Sequence, residues 1–190
     1  MEGYWTIKHN FPGTNYVYLL VRKSDGVPFI WKPEAGQKGR GSVYWGHATY
    51  CVDKALGLGV IAETEVIREP ERGVMVRFID GVDIYSTYRT PKERDAILNG
   101  REDYRKIILL DWIMGNKDRY DWHLLLADDG LYGIDNTNIF NYAGNSAMPA
   151  PVPISRGVDL VRLESEVSPY ADIDRRSEMM RRLRMAIGAK

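Results

Sequence analysis

The sequence predicts an α+β fold: an antiparallel, β-rich half over residues 1–81 carrying one helix, then a small, mostly helical half over residues 82–190. Short β-branched and aromatic runs alternate with turn signals through the first third. One capped helical run interrupts them. Beyond residue 81 the apolar spacing changes to that of helices.

In chain order, "YVYLLVR" (16–22) and "VPFIWKP" (27–33) are strand-forming runs joined by "KSDG", a turn, and make a hairpin with Lys32 near its end. "EAGQKGRGS" (34–42) is a basic, glycine-rich loop. Ser42 is a helix cap for "VYWGHATYCVDKALGLG", which the Gly57–Gly59 region stops. Residues 60–67 and 74–81 read as a further strand pair around "REPERG". Residues 101–114 place apolar side chains at 104, 107, 108 and 112, a helical stripe. "LLLA", an Asp-Asp-Gly turn and "LYGID" form a short hairpin. "PAPVP" (149–153) is irregular. A closing helix spans 172–188, with Met180, Leu183 and Ile187 on its apolar side and its arginines on a solvated face.

The 190 residues suffice for one domain or for two small lobes sharing a cleft, and such clefts are preferred ligand sites. Hydrophobic residues make up 44% of the chain, enough for an ordinary core. Twenty-six basic residues balance 26 acidic ones, so no global field recruits nucleic acid. No apolar run is long enough for a membrane span, and the first residues lack a signal-peptide core. The lone Cys51 fits a reducing compartment, and a cytoplasmic location is expected. His9, His47 and His123 share no zinc-ligand spacing. Neither GxxxxGK(S/T), nor a strand-linked GxGxxG, nor a GxSxG elbow is present.

Three residues fit phosphoryl transfer, which needs a sheet lysine on the phosphates, one acid beside the acceptor hydroxyl and another on a metal ion. Lys32 ends a strand, Asp118 lies in the loop after a helix, and Asp135 closes a hairpin. Cation first and two acids later is the order used by protein-kinase-like folds. Singly, each residue reads equally well as surface or as a local ion pair.

The segment "LDWIMGNKDRYDWH" (110–123), with "IDNTNIF" (134–140) after the hairpin, resembles an atypical kinase group whose pattern is FDxxxGNxDRHxxN or DRHxxE followed by (I/L)DxGxxF. That group comprises phosphatidylinositol 3-/4-kinase-like bacterial proteins, HipA-type kinases and secretory-pathway Golgi kinases. "FIWKPEAGQ" (29–37) resembles its (V/F)xKPxxGE, and residues 47–67 resemble the helix and strand that follow.

The resemblance covers residues 27–142 and implies a compact two-lobed protein-kinase-like fold using ATP and Mg²⁺ or Mn²⁺, with a protein Ser/Thr as acceptor. Lys32 would grip phosphates, helped by Gly36 and Lys38 of the glycine-rich loop. Phe78 and Ile79, in the link "VRFIDG", would offer backbone groups to adenine. Asp118 would act on the acceptor hydroxyl. Asp135 would bind metal, with His123 in the second ligand position and Asn136 or Asn138 as alternative oxygen donors. Asp111, Asn116 and Arg119 would brace the loop. "HNFPGTN" (9–15) is a second candidate lid, pivoting at Gly13.

The chain departs from that pattern. Gly46 stands where the group has the glutamate that pairs with its lysine, leaving Glu63 or Glu65 as substitutes. Gln37 replaces the loop glutamate, Tyr120 the histidine of DRH, and His123 an asparagine or glutamate. A nucleotide- or partner-binding module without turnover is therefore the alternative, and an assembly protein that keeps the shape is a third. The helical half is short for a docking platform, so a partner that completes it is also expected.

Overall fold

The computed structural model describes residues 5–11, 15–38, 42–68, 71–143, 147–154 and 157–188. Strands β1 (Trp5–Phe11), β2 (Val17–Arg22), β3 (Pro28–Pro33), β4 (Thr64–Ile67) and β5 (Gly73–Arg77) form one antiparallel sheet in the order β1-β2-β3-β5-β4. The turn joining β2 to β3 is built locally. Arg22 pairs with Asp25 at 2.7 Å, the Asp25 carboxylate accepts the Val27 N–H, and Gly26 takes φ 75°.

Because side chains alternate across a strand, the sheet register decides where Lys32 points. Trp31 pairs with Met75 and packs with Leu20 on one face. Lys32 pairs with Val74 and so stands on the opposite face.

Helix α1 (Val43–Leu56) starts at Ser42, whose hydroxyl accepts the Tyr44 N–H, and ends at Gly57 in the left-handed conformation. Its buried Asp53 accepts the Val60 N–H at 3.0 Å, and burial pushes that carboxyl up to about 6 against the opposing backbone hydrogen bonds. The Val60 carbonyl in turn accepts the Gly133 N–H at 2.9 Å, tying the loop after α1 to the later hairpin.

A second antiparallel sheet joins β6 (Gly81–Asp83), β7 (Leu124–Ala127) and β8 (Gly130–Gly133). Between β6 and β7 run α2 (Ile84–Thr87), α3 (Pro91–Leu98) and α4 (Glu102–Met114), and α5 (Leu160–Val167) and α6 (Ile173–Ile187) follow β8. The main core gathers α1, α4, α5 and α6 with the hairpin: Val52, Leu56, Ile107, Leu110, Ile113, Leu124, Leu163 and Leu183 are all buried there. The C-terminal half of α4 is covered nearly all round, from Leu109 to Met114. Among the described residues no helix is long and apolar enough to cross a membrane.

The structure corrects several expectations. β1 is a further strand, while residues 12–14 and 39–41, parts of the two expected lids, lie outside the described residues. Residues 60–63 are not strand, because Asp53 holds them as a loop. Gly81 leaves the first sheet to pair with Ala127 in the second. Arg182, expected in solvent, is buried on α6: it donates to the Trp112 carbonyl at 2.7 Å and lies over the Trp112 and Tyr142 rings. Glu178 beside it is held down to about 2 by hydrogen bonds from Arg181 and Arg182.

Candidate functional site

Gly115 ends α4 in the left-handed conformation and turns the chain into the loop 115–120. That loop is pinned from below. Asp111, on the last turn of α4, accepts two hydrogen bonds from Arg119, each 2.9 Å, and both side chains are under a tenth exposed. Asn116 donates to the same carboxylate at 2.9 Å and accepts the Asp118 N–H at 3.0 Å. Arg119 also donates to the carbonyls of His123 and Ile134 and to the Asn136 amide oxygen. It fits because Gly133 has no side chain: a Cβ there would lie 3.1 Å from the guanidinium. One buried cation thus fixes the loop to the segment after β8.

Two groups are left facing outward. The Asp118 backbone is held at both ends, while its carboxylate has no hydrogen-bond or ion-pair partner among the described residues. The Asp118 carbonyl accepts the His123 Nδ1–H at 2.6 Å. A carbonyl only accepts, so Nδ1 carries a proton and Nε2 is turned to a different partner. That Nε2 lies 3.8 Å from Asp135 Oδ2.

Asp135 itself takes φ 56°, a left-handed conformation unusual for a residue with a side chain and common at functional sites. Its Oδ1 accepts the Thr137 hydroxyl at 2.9 Å and meets Lys32 Nζ at 3.3 Å, across 103 residues of chain. The Lys32 ammonium holds the Asp135 carboxyl below the usual carboxylate range, against the opposing effect of burial, with help from Thr137 and His123. Lys32 is 17% exposed and the Asp135 side chain 43%, so the lysine is sheltered and the carboxylate still open to a ligand.

The structure therefore brings Lys32 and His123 to Asp135, with Asp118 supplying the carbonyl that orients His123. The other expected residues are placed differently. Lys32 meets Asp135 and not Glu63 or Glu65. Gly36 is packed under Tyr16, whose ring a Cβ would strike at 2.6 Å, and its carbonyl accepts the Tyr16 N–H. Lys38 lies over the Tyr16 ring, with its own N–H on Asn15. Neither touches Lys32 or Asp135. Asn136 is buried, with its oxygen accepting from Arg119 and its nitrogen donating to the Gly133 carbonyl, so it braces the loop. Phe78 and Ile79 form the link between β5 and β6.

Sequence reasoning passed over Thr137, Gly133 and an exposed aromatic shelf two residues from Asp118. In that shelf Tyr120 stacks on Trp122 at 4.4 Å and Tyr85 meets Trp122 edge-on. Gly133 was the one with a signal, a glycine inside a strand run, which marks close approach of another group. Two surface hollows lie elsewhere. One of ≈ 360 Å³ is lined by Asp53, Lys54 and Tyr132, and another of ≈ 650 Å³ by Asp80, Arg101 and Asp129. Neither is lined by Lys32, Asp118 or Asp135. Comparison with protein-family models and with curated proteins matched nothing.

Proposed function

We propose that the chain is an ATP-dependent phosphotransferase of two-lobed, protein-kinase-like fold that moves the γ-phosphoryl group to a hydroxyl of a protein Ser or Thr. The observation that carries this reading is the Lys32–Asp135 contact between the first sheet and the residue after β8, with Asp118 on the adjoining braced loop. Lys32 neutralises phosphate oxygens, a role that suits a sheltered ammonium whose partner, Asp135, is an acid able to turn to a cation. The link through Phe78 and Ile79, between the two sheets, is the segment that would meet the edge of a base.

Asp118 orients the acceptor hydroxyl and accepts its proton as the oxygen–phosphorus bond forms and the bond from phosphorus to the ADP oxygen breaks. Among the described residues no side chain competes for its carboxylate. Among the described residues no group of three or more His, Cys, Asp or Glu side chains gathers for a metal. Asp135 and His123 make a two-donor site, which fits a kinase ion because that ion takes its other ligands from phosphates and water. A bound Mg²⁺ or Mn²⁺ supplies charge neutralisation at the phosphates.

One observation favours the alternative, a nucleotide-binding module without turnover. Gly46 brings no acid, and the one carboxylate of α1, Asp53, is committed to the Val60 N–H, so no carboxylate from α1 holds Lys32 once Asp135 turns to a metal. Radiolabelled ATP separates the two: label passing to protein, and lost in Asp118→Ala, supports transfer. Nucleotide binding without any Asp118-dependent transfer contradicts it.

A further inference from the structure

We infer that Tyr85, Tyr120 and Trp122 form a docking shelf for an arginine of the acceptor protein, carried close in sequence to the hydroxyl that receives phosphate. The inference rests on the phosphotransfer reading and names what its protein substrate carries. The three side chains are 52%, 46% and 47% exposed. Trp122 stacks on Tyr120 at 4.4 Å and meets Tyr85 edge-on at 5.5 Å, so the rings make one surface. Single exposed apolar side chains are ordinary, whereas contiguous ones mark a place for a partner.

The rings are held from α3. Arg94, 13% exposed, lies over the Tyr85 ring at 5.2 Å and donates to the Tyr88 carbonyl at 2.9 Å, which ties it to the end of α2. Its Nε approaches an Asp121 oxygen to 2.6 Å without the alignment of a hydrogen bond, so charge alone draws the turn 121–123 toward α3. The His123 N–H donates to the Tyr120 carbonyl at 2.8 Å and closes that turn.

The occupant follows from charge. Aromatic faces are electron-rich, and a planar guanidinium stacks on them better than an ammonium does. Arg94 already does so on Tyr85, while among the described residues no cation lies over Tyr120 or Trp122. The surroundings are acidic. Burial, and then the charges of Asp121, Asp95 and Asp111, push the Tyr104 phenol up. The Asp118 carboxylate has no side-chain partner among the described residues. The loop's own cations are spent, Arg119 on the buried Asp111 and Lys117 on the Ala143 carbonyl. Tyr120 is two residues from Asp118, about 7 Å of extended backbone at most, so the docked side chain belongs within about three positions of the acceptor.

The test uses the full chain with a non-hydrolysable ATP analogue, Mg²⁺ and serine peptides. Each peptide carries arginine, its neutral isostere citrulline, or leucine at one position near the serine. At one or more positions arginine should tighten binding at least about fivefold over both, the factor one cation–ring contact supplies. Trp122→Leu and Tyr120→Leu keep apolar bulk but remove an aromatic face, and each should erase that preference. If neither variant folds, hydroxyl-radical footprinting of wild type decides: protection of Tyr120 and Trp122 by the arginine peptide supports the shelf, and its absence overturns it. Citrulline or leucine binding as tightly as arginine, or a preference that survives both substitutions, overturns the inference. No peptide binding while the analogue still raises Tm also overturns it and leaves the phosphotransfer reading standing. An arginine preference erased by the substitutions, in a chain that neither binds the analogue nor transfers γ-label, overturns the phosphotransfer reading and keeps the shelf as an arginine-binding surface.

Discussion

Arg119 is the residue on which the loop depends, and its environment sets the size of its effect. It is buried against Asp111 and donates to two carbonyls and Asn136. Removing one partner of a buried pair leaves the other charge uncompensated, which typically costs about 3–5 kcal/mol. Arg119→Ala is therefore expected to lower denaturant stability by about that amount, while the double variant with Asp111→Asn recovers part of the loss. Additive losses in the two single variants would argue against the coupling. At the reacting groups the expectation concerns rate and not stability. Lys32→Ala and Asp135→Ala should each reduce transfer by at least about a hundredfold, since removing one charge-stabilising group costs about that much. Their melting temperatures should move little, because the Lys32–Asp135 pair is partly open to solvent. Unimpaired turnover in Lys32→Ala would remove its assigned role.

Among the elements, α1 carries the clearest pH signature. Asp53 is buried and raised to about 6 from the ordinary 3.8, so the native state binds its proton more tightly than the unfolded chain. Its contribution to stability is complete below about pH 3.8 and is lost as pH rises through about 6. Asp53→Asn should flatten that segment of the stability–pH curve, by on the order of 3 kcal/mol across the window. An unchanged slope would mean that the carboxyl ionises freely in the fold. Helix α3 offers a smaller test: Thr90 and Glu93 cap it reciprocally, so Thr90→Ala should cost about 1 kcal/mol in the same unfolding assay. That box was written in the sequence as "TPKE" and passed over, because the run behind it is mostly polar. Helix α1 was legible because its cap and its stop are local, at Ser42 and Gly57. β1 was not: most of its side chains are exposed, so no alternation marks it. Arg182 was misread since an arginine on a basic helix gives no sign that Trp112 and Tyr142 will cover it. Within the site, Lys32, Asp118 and Asp135 could be picked out by residue type and order. The commitment of Asn136 to Arg119 depends on how the segment after β8 packs on the loop, which no local pattern records.

Across the whole molecule, the two sheets are joined by the 78–80 link, by the Val60–Gly133 hydrogen bond and by Lys32 meeting Asp135. A nucleotide bridging the same parts binds only the native state and so stabilises it by mass action. At a hundredfold excess over Kd the gain is about 2.7 kcal/mol, which for a chain of this size raises Tm by roughly 5–10 °C. Lys32→Ala should remove most of that shift, and a shift of equal size in the variant would place nucleotide binding elsewhere. The central claim is that Lys32, Asp118 and Asp135 serve a single triphosphate, and the most direct measurement follows the γ-phosphate itself. Wild type, Lys32→Ala, Asp118→Ala and Asp135→Ala are incubated with γ-labelled ATP and Mn²⁺ or Mg²⁺ in the presence of candidate acceptor protein. The account predicts label on protein hydroxyls with wild type and background levels with all three variants. Transfer that survives in any of the three, or wild type that binds ATP yet releases no label to protein or water, would contradict it.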